Sequence, residues 1–350
     1  MHRCLALTLF AASLLPAGAS AQDSQSLPAQ APQMVTRLQQ WYNPDTGLWK
    51  STGWWNAANA LTVLIDYSRV TSTNDLSTVL DPTFHQHANP NFLNQYYDDE
   101  GWWALGWIDA YDLTHNAAYL ATASSIFDDM STGWDDTCGG GIWWSKERHY
   151  KNAIANELFL SVAAHLANRA TTAEQKSHYT TWAEREWNWF QNSSMIRPDH
   201  QINDGLDKNC RNNHQTVWTY NQGVILGGLA ELSQLHGKKD ALQHANQIAA
   251  AAIQHLTDAQ GVLHDACEPN CGGGDVPQFK GIFVRNLALL QQRSPHPQYA
   301  SFFQTNAASI LAHQAADHSI GLDWSTPTTT ATAATQTSGL DAIVAALSHP

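Results

Sequence analysis

The chain has 350 residues, of which 18 are basic and 31 acidic, for a net charge of −13 with histidine neutral. So acidic a surface repels nucleic acid and anionic membrane and suits a neutral or cationic ligand. The length allows two average domains or one large helical domain, and no Pro/Ser/Gly linker divides it.

Residues 1–21 read as a secretory leader. His2 and Arg3 give a basic start, Leu5 to Leu15 an apolar core, and Ala19-Ser20-Ala21 a small-residue cleavage site. The apolar run is too short to span a bilayer. The end of the chain, Ala345 to Pro350, carries no hydrophobic tail of the lipid-anchor type. The sequence therefore predicts a secreted protein without a membrane anchor, extracellular or, in a Gram-negative host, periplasmic. Residues 22–350 are expected to form one domain, and a monomer.

Two kinds of helix alternate along that domain. Polar, amphipathic patterns cover Gln33–Tyr42, about Leu76–Ala88, Asn116–Met130, Ala173–Asn192, Asp240–Thr257 and Gln298–Ala315. Between them lie six stretches poor in charge and rich in Ala, Gly and Leu: Asn56–Arg69, Gly101–Leu113, Asn152–Asn168, Tyr220–Leu235, Phe279–Gln292 and Gly339–Ser348. Apolar on nearly every side, these predict helices that are buried all round. The buried helices recur about every 50 to 65 residues, a loose internal repeat. A solenoid would end in polar capping units, yet the last helix is as apolar as the first. The pattern predicts an all-α ring of six helical hairpins, an (α/α)6 barrel. Loops entering the buried helices are long and loaded with Trp, Gly, Asp and Asn, whereas the return loops are short. The threonine-rich stretch Ser325–Ser338 reads as one of the long ones. All six buried helices should then start at one decorated rim, the functional face.

Once Cys4 leaves with the leader, Cys138, Cys210, Cys267 and Cys271 remain. An even number in an exported chain predicts two disulfides, with Cys267–Cys271 as a local clip and Cys138–Cys210 as a long-range staple. A zinc site is the competing reading, weakened because the Cys-x3-Cys stands alone in sequence. Seventeen histidines include no His-Glu-x-x-His pattern, and no metal or other cofactor is expected.

Three Asp-Asp pairs are candidates for chemistry. Asp128-Asp129 ends an amphipathic helix, and Asp135-Asp136 sits in a glycine-rich loop. Only Asp98-Asp99, in Tyr96-Tyr97-Asp98-Asp99-Glu100-Gly101-Trp102-Trp103, combines the entrance of a buried helix with aromatic crowding. Adjacent carboxylates against apolar surface can be pushed to different pKa values, one ionised while the other holds a proton. At a helix entrance neighbours lie about 100° apart, so both can face one cleft. That closeness suits the roughly 5–5.5 Å of a retaining glycosidase better than the wider spacing of an inverting one. Trp54, Trp102 and Trp143, each the first of a Trp-Trp doublet, supply sugar platforms on the same rim, one ring of each doublet being expected to pack inward. Asn56, Asn152, Asp204, Tyr220 and Asn221 add polar contacts, and Lys280 could pair with Asp98 or a neighbouring acid.

Taken together, several segments resemble glycoside hydrolase family 76, the α-1,6-mannanases and their fungal cell-wall relatives. They are Trp54-Trp55-Asn56, Asp98-Asp99 with Trp102-Trp103-Ala104, Thr137-Cys138-Gly139-Gly140-Gly141 with Trp143, and Tyr150 to Asn156. Asp204-Gly205-Leu206, Trp218 to Gly223, and Phe279-Lys280-Gly281 ahead of Arg285 complete the set. The resemblance implies an (α/α)6 barrel that hydrolyses α-1,6-mannan or mannooligosaccharides internally and with retention. By position it makes Asp98 the nucleophile, Asp99 the general acid/base and Asp204 a further acid of the cleft, without a cofactor. Anchored fungal members of the family imply transglycosylation as an alternative, from which this chain departs in lacking an anchor tail. A mannan-binding protein on the same scaffold is the remaining alternative.

Overall fold

Small residues and a row of amide clamps shape this molecule. The computed structural model describes residues 26–72, 76–271 and 273–350, so the leader assigned to residues 1–21 lies outside the described residues. Twelve α-helices run along the described residues: α1 (Leu27–Gln39), α2 (Trp54–Thr71), α3 (Ser77–His87), α4 (Tyr97–Thr114), α5 (Ala117–Ser131), α6 (Ala153–Arg169), α7 (Ala173–Phe190), α8 (Thr219–Leu232), α9 (Ala241–His255), α10 (Phe279–Arg293), α11 (Pro297–His313) and α12 (Ala333–Ser348). The even-numbered helices are the apolar ones. They pack α2 on α4, α6, α8, α10 and α12 in turn, and α12 closes back on α2. The odd-numbered helices pack outside this ring: α5 on α4, α7 on α6, α9 on α8, and both α1 and α11 on α12. This is an (α/α)6 barrel.

Glycines let the inner helices approach. A Cβ on Gly223 of α8 would sit 2.5 Å from the Phe283 Cα of α10, and one on Gly281 of α10 would sit 2.5 Å from the Ser338 Cα of α12. Either would force two backbones apart in a densely packed interior. On the outside, Phe84 of α3 meets Trp107 of α4 and Tyr119 of α5 edge-on, at 5.0 Å in both cases.

A repeated hydrogen-bond device places the rim loops. The backbone N–H groups of Ile142, Ile202 and Ile320 donate to the side-chain amide oxygens of Asn156, Gln222 and Gln336 at 2.7, 2.8 and 2.8 Å. Each amide is the fourth residue of its inner helix, α6, α8 or α12. Being buried, these backbone groups need such partners. The clamps draw the long loops across one end of the barrel, the end where the inner helices begin.

The two largest differences from the sequence pattern are at helix starts. The first helix starts at Leu27, with proline in its first turn where no N–H is required. The last starts at Ala333, because Thr332 accepts the Thr335 N–H and caps it. Ala333 to Ser338 therefore belong to a helix, not to the threonine-rich loop. A two-stranded ribbon, β1 (Tyr42–Asn43) against β2 (Leu48–Trp49), is an addition that periodicity did not announce. Cys138–Cys210 and Cys267–Cys271 are disulfide-bonded.

Candidate active site

A cleft of about 420 Å³ opens on the rim where the inner helices begin. Asp98 and Asp99 lie in the first turn of α4, where negative charge is favoured by the helix dipole. Trp102 follows Asp98 by four residues and Asp99 by three, so all three share one helix face, and all three line the cleft. Trp103 turns inward and is fully buried. Trp55 of α2 stacks on Trp102 at 5.5 Å and donates its indole N–H to Asp275 at 2.8 Å. On its other side Trp55 packs against Phe279 of α10 at 6.3 Å, and Tyr220 of α8 stacks face to face on Phe279 at 3.8 Å. Tyr96 and Trp144, packed at 4.9 Å, are two of the most exposed large apolar side chains and stand at the mouth.

Each member of the acid pair has one fixed donor. The Trp144 indole N–H donates to Asp98 Oδ2 at 3.0 Å. The Asn94 amide donates to Asp99 Oδ2 at 2.5 Å. Burial pushes Asp98 well above the usual carboxylate range, the neighbouring Asp99 charge adds to the rise, and the Trp144 bond opposes it. Burial pushes Asp99 up to about 6, with Asn94 opposing and the Asp275 charge adding. Carboxyls this close titrate as a pair, so one proton is held between two macroscopic steps. Asp204 stands across the cleft, accepts the Tyr150 hydroxyl at 2.5 Å and is likewise raised by burial. Asn213 donates to that hydroxyl at 2.8 Å and completes the chain.

The pH consequence follows directly. A reaction that needs one ionised member of this pair should lose kcat/KM on the acid side nearer pH 6 than the roughly 3.9 of a free aspartate. A pH–rate series that keeps full activity down to pH 4 would contradict the buried setting of the pair.

Of the residues expected at the site, Asp98, Asp99, Trp102, Asp204 and Tyr220 come together in the cleft. Five others are placed elsewhere. Trp54 packs inward against Trp103 and His87, and its doublet partner Trp55 takes the cleft position. Trp143 is held behind the wall, its indole N–H on Asp135 and its ring under Lys151, while Trp144 faces the cleft. Asn56 accepts the Gly53 N–H and donates to Gln278, which ties the start of α2 to the start of α10. Asn221 is fully buried within α8. Lys280 pairs at 2.7 Å with Glu268, not with Asp98, under cover of Trp324; Arg285 likewise pairs with Asp341. In three doublets one ring faces the cleft, but in two of them it is the second member: helix phase selects Trp55, and the loop before α6 presents Trp144.

The competing acid pairs are occupied. Asp129 is paired with Lys146 and Asp135 with Lys151, both at 2.9 Å. Asn152, expected as a polar group of the rim, lines the cleft, as do Asp275, Tyr150 and Phe279, which sequence reasoning does not mark as contacts. The described residues lining it include four aspartates and no Lys, Arg or His. Among the described residues no group of three or more His, Cys, Asp or Glu is placed to hold a metal ion, and no described helix is long and apolar enough to cross a membrane.

An acid pair among aromatic platforms on an (α/α)6 rim is the architecture of a glycosidase, and the chain matches Glycosyl hydrolase family 76 over residues 26–350. The chain belongs to that family. It is a glycoside hydrolase. Among its relatives, the mannan endo-1,6-alpha-mannosidase DFG5 of Candida albicans is 27% identical over 322 residues, covering 83% of this chain and 71% of that protein. The mannan endo-1,6-alpha-mannosidase DCW1 of Eremothecium gossypii is 28% identical over 364 residues, covering 91% and 78%. Among solved structures, an inactive variant of the alpha-1,6-mannanase GH76A of Salegentibacter sp. HEL1_6 superposes with a TM-score of 0.80 at 23% identity, covering 92% of this chain and 99% of that one. That variant, with two consecutive aspartates replaced by alanine, is in complex with alpha-1,6-mannotetrose. Family 76 membership and the helical ring thus agree.

Proposed function

We propose that this family 76 enzyme is a secreted, endo-acting α-1,6-mannanase that cleaves mannan backbones with retention of configuration. The observation that carries the reading is the acid pair Asp98-Asp99, half-buried among Trp55, Trp102 and Trp144 in a cleft lined, among the described residues, by no Lys, Arg or His. Relatives named for endo-1,6-alpha-mannosidase activity support the linkage. Residues 22–350 act as one catalytic domain behind an export leader.

Asp98 acts as nucleophile and Asp99 as acid/base, in the order that the resemblance implies. The Asp98 carboxylate attacks the anomeric carbon while Asp99 gives its proton to the departing glycosidic oxygen. A covalent glycosyl ester forms on Asp98 and the shortened mannan leaves. Asp99, now ionised, takes a proton from water, whose oxygen attacks the same carbon and restores Asp98. The stacked rings hold sugar faces on either side of the bond, each aromatic contact contributing about 1 kcal/mol.

Chromatography of a linear α-1,6-mannan digest at two substrate concentrations tests this. Short oligomannosides should accumulate, with water as the main acceptor in dilute substrate. Products longer than the donor in dilute substrate would mean a dedicated transferase. Unchanged polymer would mean a binding protein.

A further inference from the structure

The two donors that hold the acid pair sit on different loops, and those loops are joined. Asn94 precedes α4, whereas Trp144 lies on the loop before α6. An antiparallel bridge links Tyr96 to Ser145. The Tyr97 N–H donates to the Trp144 carbonyl at 2.9 Å, and the Lys146 N–H to the Gln95 carbonyl at 3.0 Å. Beneath the bridge lies Glu100, the residue after the pair, with no solvent exposure. Its Oε1 accepts both the Asn94 backbone N–H at 3.1 Å and the Lys146 ammonium at 2.8 Å. The ammonium reaches Asp129 of α5 on its other side, at 2.9 Å, and the Tyr97 ring stands 5.7 Å away.

We propose that Lys146, seated between Glu100 and Asp129, is a positioning residue for the reaction: it locks the two loops together so that Asn94 stays aimed at Asp99 and Trp144 at Asp98. This inference rests on the catalytic roles proposed above. The ammonium thus joins the loop before α6 to both α4 and α5. Loss of the ammonium lets the loops separate, and each carboxylate loses a donation that favours its ionised form. The charged and titratable groups facing the pair are Asp275, from the loop ahead of α10, and Tyr220 of α8, with Asp204 across the cleft. None of these supplies a replacement positive charge. Glu100, which burial pushes up to about 8 against the opposing Lys146 bond, would lose that opposition and be raised further.

The test is steady-state kinetics on linear α-1,6-mannan across pH for the wild type and for Lys146→Met, Lys146→Arg and Trp144→Phe. Lys146→Met should lower kcat roughly tenfold to a hundredfold while KM moves by less than about twofold. Both limbs of its pH profile should shift to higher pH. Lys146→Arg, which keeps the charge between Glu100 and Asp129, should recover most of kcat. The effects of Lys146→Met and Trp144→Phe should be less than additive, because both remove the same donation. An unshifted profile, or strict additivity with Trp144→Phe, would overturn the inference. Should Lys146→Met fail to fold, Glu100→Gln keeps the volume, removes the ion pair and is read in the same way. A wild type that leaves α-1,6-mannan uncut defeats the functional reading, whereas a cleaving wild type with an unshifted Lys146→Met profile defeats only the positioning role.

Discussion

Asp98→Asn should leave a folded protein whose turnover of α-1,6-mannan falls by about 10⁴-fold, the scale on which removing a proposed nucleophile from a catalytic unit is felt. The substitution keeps volume and can still accept the Trp144 indole N–H, so fold and sugar binding survive. Asp99→Asn is also severely impaired, but least with substrates whose leaving group departs without protonation. Asp128→Asn serves as the control, since Asp128 is exposed on α5 and should remain near wild type. An Asp98→Asn enzyme that keeps more than a small fraction of activity would remove the assignment. Inactivation by Asp128→Asn instead would place the chemistry elsewhere.

Lys151→Met should cost about 1–3 kcal/mol of stability, the range for leaving buried hydrogen-bond acceptors without their donor. Lys151 is only 2% exposed. Its ammonium meets Asp135 Oδ1 at 2.9 Å and the carbonyls of Thr137, Gly140 and Gly141 at 2.7, 2.7 and 2.9 Å. One tethered cation thus gathers the glycine-rich loop behind Trp143, and a methionine would strand these acceptors. Gly140 and Gly141 cannot simply be rebuilt with larger residues, because a Cβ on either would strike the Trp189 ring. Although burial works the other way, donation from Lys151, Trp143 and the Thr137 N–H holds Asp135 well below the usual carboxylate range. A depressed pKa contributes stability above the unfolded value, roughly 3.9, and loses it as pH falls toward the folded one. The wild type should therefore lose stability below about pH 4 more steeply than Lys151→Met. Denaturant unfolding at neutral and acid pH reads both effects, and a loss under about 1 kcal/mol would contradict the cage.

The ring itself is legible because its inner helices are buried all round, which strips them of charge and leaves Ala, Gly and Leu. Where legibility failed, tertiary bonds had replaced periodicity. Thr335, Gln336, Thr337 and Ser338 look like loop, yet all four are buried in α12. Gln336 donates to the Met34 and His318 carbonyls, and Ser338 accepts the Gly281 N–H. Such partners make buried polar groups affordable. In the site, Asp98, Asp99 and Trp102 are legible because three- and four-residue spacing puts them on one helix face. Trp54 and Trp55 differ only by helix phase at a first turn, and sequence does not mark where that turn begins. Asp275 follows Gly273 and Gly274 in a disulfide-clipped loop without periodicity, and only the fold carries it to the Trp55 indole. Lys280 was read by its charge alone, without sight of Glu268, the partner that the fold sets beside it.

As proposed, two adjacent carboxyls on α4 break α-1,6-mannosidic bonds by double displacement. Proton NMR of the first products from α-1,6-mannooligosaccharides, recorded before mutarotation, tests it most directly. Double displacement predicts α-configured reducing ends within the first turnovers. Initial β-configured ends would mean a single inverting displacement, with the second carboxylate farther from Asp98 than Asp99 is, and Asp204 across the cleft would then be the first acid to replace.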